Sequence, residues 1–146
     1  MQNIDKDAQV GLELTGKLKT ITDERVFAFS GGFPKGPDWP KKTIHTNLEF
    51  ARASGLPKRT ASGAMFEGYI TELMINTFGE QWLRGGKMTL KFIAIVTPGD
   101  KLLPKAIIRS RQAENSGVRF ALDVWCEKQG GEKVVIGTAT GLVPNL

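Results

Sequence analysis

The stretch SGAMFEGYITELMINTFG, residues 62–79, carries the strongest structural signal in the sequence. Its apolar side chains recur every three or four residues, the period of a helix with one broad apolar face. These side chains are Met65, Phe66, Tyr69, Ile70, Leu73 and Met74. Ser62 is a preferred N-cap residue, and Gly79 suits the position after a helix ends. The stretch therefore predicts one long helix from Ser62 to about Phe78.

The sequence after this helix has the two-residue period of β-strands. Arg119–Glu127 alternates most cleanly, because every second residue from Phe120 to Cys126 is apolar. Four strands are predicted in all: Met88–Val96, Lys105–Arg111, Arg119–Glu127 and Val134–Val143. The intervening segments, Thr97–Asp100, Gln112–Gly117 and Gln129–Glu132, have the composition of turns.

Shorter elements are predicted before the long helix. Val10–Ile21 is rich in apolar residues and indicates an opening strand or an extended segment. Thr22 is a suitable N-cap for a helix over Asp23–Phe29, because Asp23 and Glu24 then place negative charge in its first turn.

An irregular segment and a second short helix follow. Gly31–Lys42 contains three glycines, three prolines, Phe33 and Trp39, and this density of Gly and Pro breaks regular structure. A loop of this length inside a compact domain is often functional. Thr46 is the predicted N-cap of a helix over Asn47–Ala53.

The order of these elements defines the predicted fold class. A strand, short helices, one long helix and then four strands are typical of an α+β protein with an antiparallel sheet. A long helix with so broad an apolar face indicates that the sheet wraps around it. The length of 146 residues fits one domain with a substantial core, so we predict a single domain over residues 1–146.

The sequence has one histidine, His45, and one cysteine, Cys126. Structural zinc sites use four Cys or His ligands and catalytic ones usually need at least two histidines, so a zinc site is not expected. An intramolecular disulfide is impossible, which suits a reducing compartment. Cys126 alternates with apolar residues and is predicted to be a buried small apolar side chain. Any histidine-based mechanism must use His45.

The charge pattern bears on the partners. The formal net charge is +5, from 20 Lys and Arg against 15 Asp and Glu. The basic residues are scattered, and the sequence has neither a basic stripe nor an aromatic RNA-binding motif, so we expect no nucleic-acid partner. No secretory signal and no stretch of 18 apolar residues is visible, so we expect a cytoplasmic protein without a membrane partner. The modest positive charge suits a small phosphate-bearing ligand.

Four short segments occur in an order that resembles one known family. They are Ile44–Ala51 (IHTNLEFA), Ala61–Met65 (ASGAM), Lys91–Phe92 and Thr97–Asp100 (TPGD). The ordered set resembles the MaoC-like dehydratases, the family of (R)-specific enoyl-CoA hydratases, over almost the whole chain. The resemblance implies a hotdog fold, in which a curved antiparallel sheet surrounds one long central helix. It also implies a homodimer or higher homo-oligomer, usually formed edge to edge.

The resemblance further implies a reaction and its residues. The reaction is the reversible hydration of an enoyl-CoA, or the dehydration of a 3-hydroxyacyl thioester, as in fatty acid metabolism, and it needs no metal or cofactor. His45 corresponds to the catalytic histidine, which activates water together with an Asp. The N–H of Gly63, at the start of the long helix, is the candidate donor to the thioester oxygen. Ser62, Trp39 and Phe33 are the expected substrate contacts.

The loop before His45 departs from the family pattern. The family carries its catalytic Asp five residues before the histidine, and that position is Pro40 here. The loop is longer here, and the nearest acid before His45 is Asp38, seven residues upstream. Asp38 is therefore the predicted catalytic partner of His45.

Two alternatives to a hydratase remain open. Other hotdog enzymes, among them acyl-CoA thioesterases, use a carboxylate on the central helix, and Glu67 has a matching position; burial would raise its pKa and make it a base. A catalytically degenerate hotdog subunit, serving as an acyl-binding or structural partner, is the other alternative, and the displaced Asp favours it. Six basic residues are candidates to bind the phosphates of CoA: Lys41, Lys42, Lys58, Arg59, Arg84 and Arg111.

Overall fold

A computed structural model describes residues 3–145 of the chain. Those residues contain four helices and six strands. The helices are α1 (Asp23–Ser30), α2 (Leu48–Ala53), α3 (Gly63–Phe78) and α4 (Glu80–Gly85). The strands are β1 (Glu13–Thr15), β2 (Lys19–Thr20), β3 (Lys87–Phe92), β4 (Lys101–Glu114), β5 (Gly117–Lys128) and β6 (Lys133–Pro144).

All six strands belong to one antiparallel sheet. The order is β1-β4-β5-β6-β3, and β2 also pairs with β4. The strand β3 pairs with β6 and forms one edge of the sheet. Buried and partly buried residues alternate along most of β4 and β5, so one face of the sheet carries the core.

The helix α3 packs against β4, β5 and β6. Its buried side chains Phe66, Ile70 and Met74 share one core with Phe120 and Leu122 of β5. At the end of α3, the Phe78 ring lies against β6 so closely that a Cβ at Gly141 would come within 2.7 Å of it. The predicted α+β class, an antiparallel sheet packed around one long helix, is confirmed.

The predicted bounds of the central helix are confirmed. The helix α3 begins after Ser62, whose hydroxyl accepts a hydrogen bond from the Ala64 N–H at 3.3 Å. It ends at Gly79, where φ is 62°, a backbone conformation that glycine adopts without strain. Thr22 likewise caps α1 by accepting from the Arg25 N–H at 3.2 Å.

The predicted opening strand is wrong as a single element. Val10–Ile21 contains β1 and β2, separated by residues 16–18 that leave the sheet. Pro104 faces this interruption in β4, and it has no N–H with which to continue the ladder. Its carbonyl oxygen instead accepts the N–H of Gly16 at 2.8 Å.

Three other predicted bounds also change. The N-cap of α2 is Asn47 and not Thr46, because the Asn47 side chain accepts the Phe50 N–H at 2.8 Å. The predicted turn over Gln112–Gly117 is mostly strand, with only residues 115–116 between β4 and β5. The strand β3 ends at Phe92, before Val96, and α4 has no counterpart in the prediction.

Within residues 3–145, no helix has both the length and the apolar character needed to cross a bilayer.

Candidate active site

His45 lies in a tight turn that two threonines hold together. The Thr43 hydroxyl accepts the N–H of His45 at 3.1 Å, and the Asn47 N–H reaches the Thr43 carbonyl at 3.0 Å. The Thr46 hydroxyl accepts the Thr43 N–H at 3.0 Å and donates to the carbonyl oxygen of Lys41 at 2.5 Å. Local hydrogen bonds between threonine hydroxyls and the backbone favour a turn rather than a helix. The turn therefore fixes the backbone from which the imidazole projects.

The His45 ring is oriented by a backbone carbonyl from a distant segment. Its Nδ1 lies 2.6 Å from the carbonyl oxygen of Thr60. A carbonyl oxygen can only accept, so Nδ1 must carry the proton and donate. The neutral imidazole then has its lone pair on Nε2, where it can accept a proton from another molecule. The structure thus gives His45 the tautomer of a general base.

The segment that holds His45 is itself anchored in the core. Thr60 is buried, and its N–H reaches the Ile44 carbonyl oxygen at 3.3 Å. The next residue, Ala61, donates its N–H to the carbonyl of the buried Val96 at 2.7 Å. Thr60 lies three positions before Gly63, the first residue of α3. The imidazole and the N-terminus of the central helix are therefore attached to one rigid segment.

The first turn of α3 leaves one backbone donor unused. Ser62 accepts the Ala64 N–H through its hydroxyl and the Met65 N–H through its carbonyl. Within residues 3–145, the N–H of Gly63 makes no hydrogen bond. A free N–H at a helix N-terminus carries a partial positive charge and suits an anionic or carbonyl oxygen.

The packing around Gly63 explains why this residue has no side chain. The ring of Phe92, the last residue of β3, lies over this position, and a Cβ at Gly63 would come within 2.8 Å of its Cε1. Phe92 also approaches Phe66 of α3, with ring centroids 6.4 Å apart. Close packing therefore requires glycine here, whether or not its N–H has a chemical role.

The long loop folds back on α1 through one aromatic residue. The Trp39 ring meets the Phe27 ring edge to face, with centroids 6.5 Å apart, and its buried Nε1 has no hydrogen-bond partner among the described residues. Phe33, by contrast, is 85% exposed at the loop surface. The two predicted substrate contacts of the loop are thus in different environments.

Asp38 is exposed on the same loop. It lines a small cavity of about 180 Å³ whose other lining residues, including Phe33 and Trp39, also come from residues 31–41. His45 does not line that cavity. Among residues 3–145 no carboxylate hydrogen-bonds to His45. The isolated chain therefore leaves the predicted Asp–His pair unassembled.

Glu67, the alternative carboxylate, lies on α3 and is exposed. The isolated chain therefore does not provide the burial that a base on the central helix was expected to have. A neighbouring surface of α3 lines a groove of about 660 Å³ against α1.

The candidate phosphate-binding residues fall into two groups. Arg59 lies against the Phe27 ring at 5.2 Å and pairs with Asp23 at 2.7 Å. Arg84 pairs with Glu80 at 2.5 Å, and the Arg111 guanidinium donates to the carbonyl of Lys6. The other three candidates, Lys41, Lys42 and Lys58, are exposed, as Arg84 is too. These three lysines lie in the segments on either side of His45.

Cys126 is fully buried, as predicted. Burial raises the pKa of its thiol from 9.0 to about 12, with a smaller contribution from the nearby Glu127 charge. A thiol in this environment is not a nucleophile at neutral pH. In the described part of the chain, no three His, Cys, Asp or Glu side chains form a metal-binding group.

Sequence reasoning missed three contributors to this site. Thr60 acts through its backbone carbonyl, which no side-chain pattern reveals. Phe92 was expected on a strand face and not over the helix N-terminus. Thr43 did carry a local signal, because Ser and Thr hydroxyls commonly accept a backbone N–H two residues later.

The chain matches no protein-family model, and no curated protein matches it significantly. Solved structures match it over nearly its whole length. The MaoC-like dehydratase from Rhodospirillum rubrum superposes with a TM-score of 0.75 at 20% identity, over 96% of this chain and 95% of that chain. The unliganded (R)-hydratase from Pseudomonas aeruginosa gives a TM-score of 0.71 at 18% identity, over 96% and 84%.

A third similar structure is one chain of a complex. The (3R)-hydroxyacyl-ACP dehydratase complex from Mycobacterium tuberculosis matches with a TM-score of 0.66 at 14% identity, over 94% of this chain and 99% of that chain. The chain is therefore a hotdog-fold protein of the α+β class, as predicted. The predicted resemblance to the MaoC-like dehydratases is confirmed at the level of the fold.

Proposed function

We propose that this protein is a hydro-lyase that reversibly hydrates an enoyl thioester, such as an enoyl-CoA, or dehydrates a 3-hydroxyacyl thioester. One observation carries the proposal. The His45 ring is held by the Thr60 carbonyl at 2.6 Å, three residues before the free N–H of Gly63. A base and an oxyanion donor attached to one short segment suit a reaction in which water attacks a conjugated thioester.

His45 acts as the base in the proposed mechanism. With Nδ1 donating to Thr60, Nε2 accepts a proton from a water molecule. The water oxygen bonds to Cβ of the enoyl group, and the electron pair of the double bond moves toward Cα and the thioester oxygen. General-base catalysis of this kind contributes roughly 10²–10⁴-fold to the rate.

Gly63 stabilises the charge that develops on the thioester oxygen. Its N–H lies at the N-terminus of a 16-residue helix, where the helix dipole adds to the hydrogen bond. This donor is fixed before the reaction begins, so it needs no reorganisation as the enolate forms. Ser62 fixes the first turn of the helix through its cap.

A carboxylic acid completes the reaction by protonating Cα, and the proton held by His45 then returns to that carboxylate. Asp38 is the proposed acid, because it is the acid nearest before His45 in the sequence. For this role, the loop over Gly31–Lys42 must move so that the Asp38 carboxylate reaches the His45 imidazole. The contact of Trp39 with Phe27 attaches this loop to α1. Glu67 is the alternative, and a neighbouring subunit against α3 would be needed to bury it.

We also propose that the protein forms a homodimer through β3. This strand forms an edge of the sheet, and unpaired edges readily pair with another strand. Phe92, Ile93 and Ile95, at its end and just after it, are between 45% and 48% exposed, which is unusual for such large apolar residues in a group. Pairing two β3 edges would cover them and place the dimer contact beside Gly63.

The test is an assay with a medium-chain enoyl-CoA. Wild type should deplete the enoyl absorbance without releasing free thiol, and His45→Ala should lose at least about 100-fold in rate. Asp38→Asn and Glu67→Gln identify the acid, with Glu49→Gln as an exposed carboxylate control on α2. The proposal is wrong if wild type hydrates no acyl thioester, or if His45→Ala is equally active. Thiol release that depends on Glu67 would instead establish a thioesterase.

A catalytically degenerate subunit is the second candidate. It is favoured by the absence, within residues 3–145, of any carboxylate bonded to His45. One similar structure is that of a dehydratase complex of more than one chain. A degenerate subunit would show no turnover alone and would gain or confer activity only after association with a different hotdog chain.

A further inference from the structure

Two buried side-chain nitrogens have no hydrogen-bond partner among residues 3–145, and both belong to residues that contact the Phe27 ring. They are Nε1 of Trp39 and Nη1 of Arg59. Buried indole and guanidinium N–H groups normally find an acceptor, because an unpaired buried donor is costly. Phe27 of α1 is the neighbour that these two side chains share.

Phe27 helps to hold Arg59 in place. The guanidinium carbon of Arg59 lies 5.2 Å from the ring centroid, and the negative face of an aromatic ring attracts a cation. Asp23, one turn earlier on α1, pairs with the same guanidinium at 2.7 Å. Arg59 directly precedes Thr60, whose carbonyl oxygen accepts the hydrogen bond from His45. Contacts from α1 therefore fix the segment that orients the imidazole.

The long loop packs on the same ring through Trp39. The Trp39 and Phe27 rings meet edge to face, with centroids 6.5 Å apart. The indole is closely packed, because a Cβ at Gly31 would come within 2.9 Å of its Nε1. Trp39 directly follows Asp38, the proposed acid. The position of Asp38 is thus connected to the Phe27 ring through its neighbour.

A second contact joins the loop to the turn that holds His45. The carbonyl oxygen of Lys41, near the end of the loop, accepts the hydroxyl of Thr46 in that turn. The loop therefore contacts both partners of the bond between His45 and Thr60. It reaches the imidazole side through Lys41 and the carbonyl side through Phe27, so loss of the Phe27 ring should loosen the carbonyl side alone.

We propose that Phe27 is a positioning residue that aligns the Thr60 carbonyl with the His45 ring, and that this alignment depends on the position of the long loop. The aligned carbonyl keeps the proton on Nδ1 and the lone pair on Nε2. Movement of Asp38 toward His45 shifts Trp39 against the Phe27 ring, and the shift is passed on to the carbonyl. The consequence for catalysis rests on the proposed function.

The test is NMR of the imidazole in the full chain. His45 is the only histidine and gives one set of ring signals, whose nitrogen shifts report which ring nitrogen carries the proton. In the neutral imidazole of wild type this should be Nδ1. Phe27→Leu should shift the signals toward a mixture of the two tautomers, and kcat for hydration should fall at least about fivefold with KM changed less than about twofold. Phe27→Tyr keeps the ring and should retain the wild-type spectrum.

Matched variants separate this role from a general effect on α1. Phe29→Leu makes the same substitution on a ring of α1 that is 54% exposed, and it should leave the imidazole spectrum unchanged. Trp39→Leu should move the spectrum in the same direction as Phe27→Leu. The double variant should change it by less than the sum of the two single changes, because both act through one ring.

Arg59→Leu provides a second test if Phe27→Leu does not fold. It removes the cation from the ring without changing α1, and it should also give mixed tautomers. A wild-type imidazole spectrum in folded Phe27→Leu or in Arg59→Leu would overturn the proposal. An equal change in Phe29→Leu would overturn it too, because the effect would then belong to α1 as a whole.

Failure of the proposed function is distinguishable, because the spectrum requires no turnover. If wild type hydrates no enoyl-CoA while Phe27→Leu alters the tautomer, the positioning role stands and the hydratase does not. If hydration requires His45 but Phe27→Leu leaves the tautomer unchanged, the hydratase stands and the positioning role fails.

Discussion

The Nδ1 atom of His45 donates to the carbonyl oxygen of Thr60 across 2.6 Å, although the two residues are fifteen positions apart in the chain. This bond fixes the tautomer of the only histidine and connects it to the segment that starts the central helix. A side-chain substitution cannot remove the backbone carbonyl of Thr60. Mutations that test this hydrogen bond must therefore change the segments around it, such as the turn that holds His45.

Thr43 is expected to act as a positioning residue for His45. Thr43→Val removes the hydroxyl that accepts the His45 N–H at 3.1 Å, so the turn should loosen and the ring should lose its alignment. We expect kcat for hydration to fall roughly tenfold or more, because small misplacements of a catalytic group are costly. Thr43→Ser keeps the hydroxyl and should restore kcat to near the wild-type value. Equal loss in both variants would assign the effect to packing.

Gly63→Ala and Gly68→Ala form a matched pair on one helix. Alanine is favoured over glycine in a helix by about 0.5–1 kcal/mol, and Gly68→Ala should show that gain because its Cβ meets open space. Gly63→Ala should instead lose about 1–3 kcal/mol, because its Cβ would lie 2.8 Å from the Phe92 ring. Urea unfolding of both variants measures the difference.

The double variant Gly63→Ala/Phe92→Leu tests the cause of that loss. Replacing the ring with a smaller side chain should recover much of the stability that Gly63→Ala loses, beyond the sum of the single effects. If the two substitutions change the free energy of unfolding additively, the Phe92 ring is not the reason that position 63 requires glycine.

The burial of Cys126 predicts loss of stability at high pH. Burial raises the pKa of its thiol from 9.0 to about 12, so the folded chain holds a proton that the unfolded chain releases between these values. The contribution is fully present below pH 9 and is lost as the pH rises toward 12. Cys126→Ala should show a smaller decrease in unfolding free energy over pH 9–11 than wild type. An identical pH slope in both proteins would contradict the prediction.

The thiol also reports on opening of the core. Native Cys126 should react with a disulfide reagent only as fast as the sheet opens, because the side chain is fully buried. Addition of urea should raise the labelling rate in parallel with unfolding measured by circular dichroism. Rapid labelling of the native protein would show that the core opens locally around β5.

Glu127 predicts a loss of stability at low pH. The Lys105 ammonium, 2.7 Å from its carboxylate, and the Trp125 indole N–H, at 2.8 Å, hold the pKa of Glu127 below its usual value. Its stabilising effect is therefore present above the unfolded pKa near 4.5 and is lost as the pH falls through the lower folded value. Glu127→Gln should cost no more than about 1 kcal/mol at pH 7, and less at pH 3. A pH-independent cost would contradict this cause.

Local features of the sequence determined the central helix and most of the sheet. The apolar spacing from Met65 to Met74, with Ser62 and Gly79 at the ends, is a property of neighbouring residues and predicts α3 correctly. The alternation from Phe120 to Cys126 predicts β5 for the same reason. The opening strand was predicted wrongly because its interruption depends on Pro104, a residue of another strand.

The sequence by itself determined the central helix, most of the sheet and the fold class, because these depend on local periodicity. It also determined the choice of His45, because the sequence has one histidine. The tertiary structure decided the rest. It placed Thr60 against the imidazole, set Phe92 over Gly63, and left Asp38 and Glu67 exposed. These relationships join residues distant in the chain, and their geometry follows from how the sheet packs against α3, which no local pattern encodes.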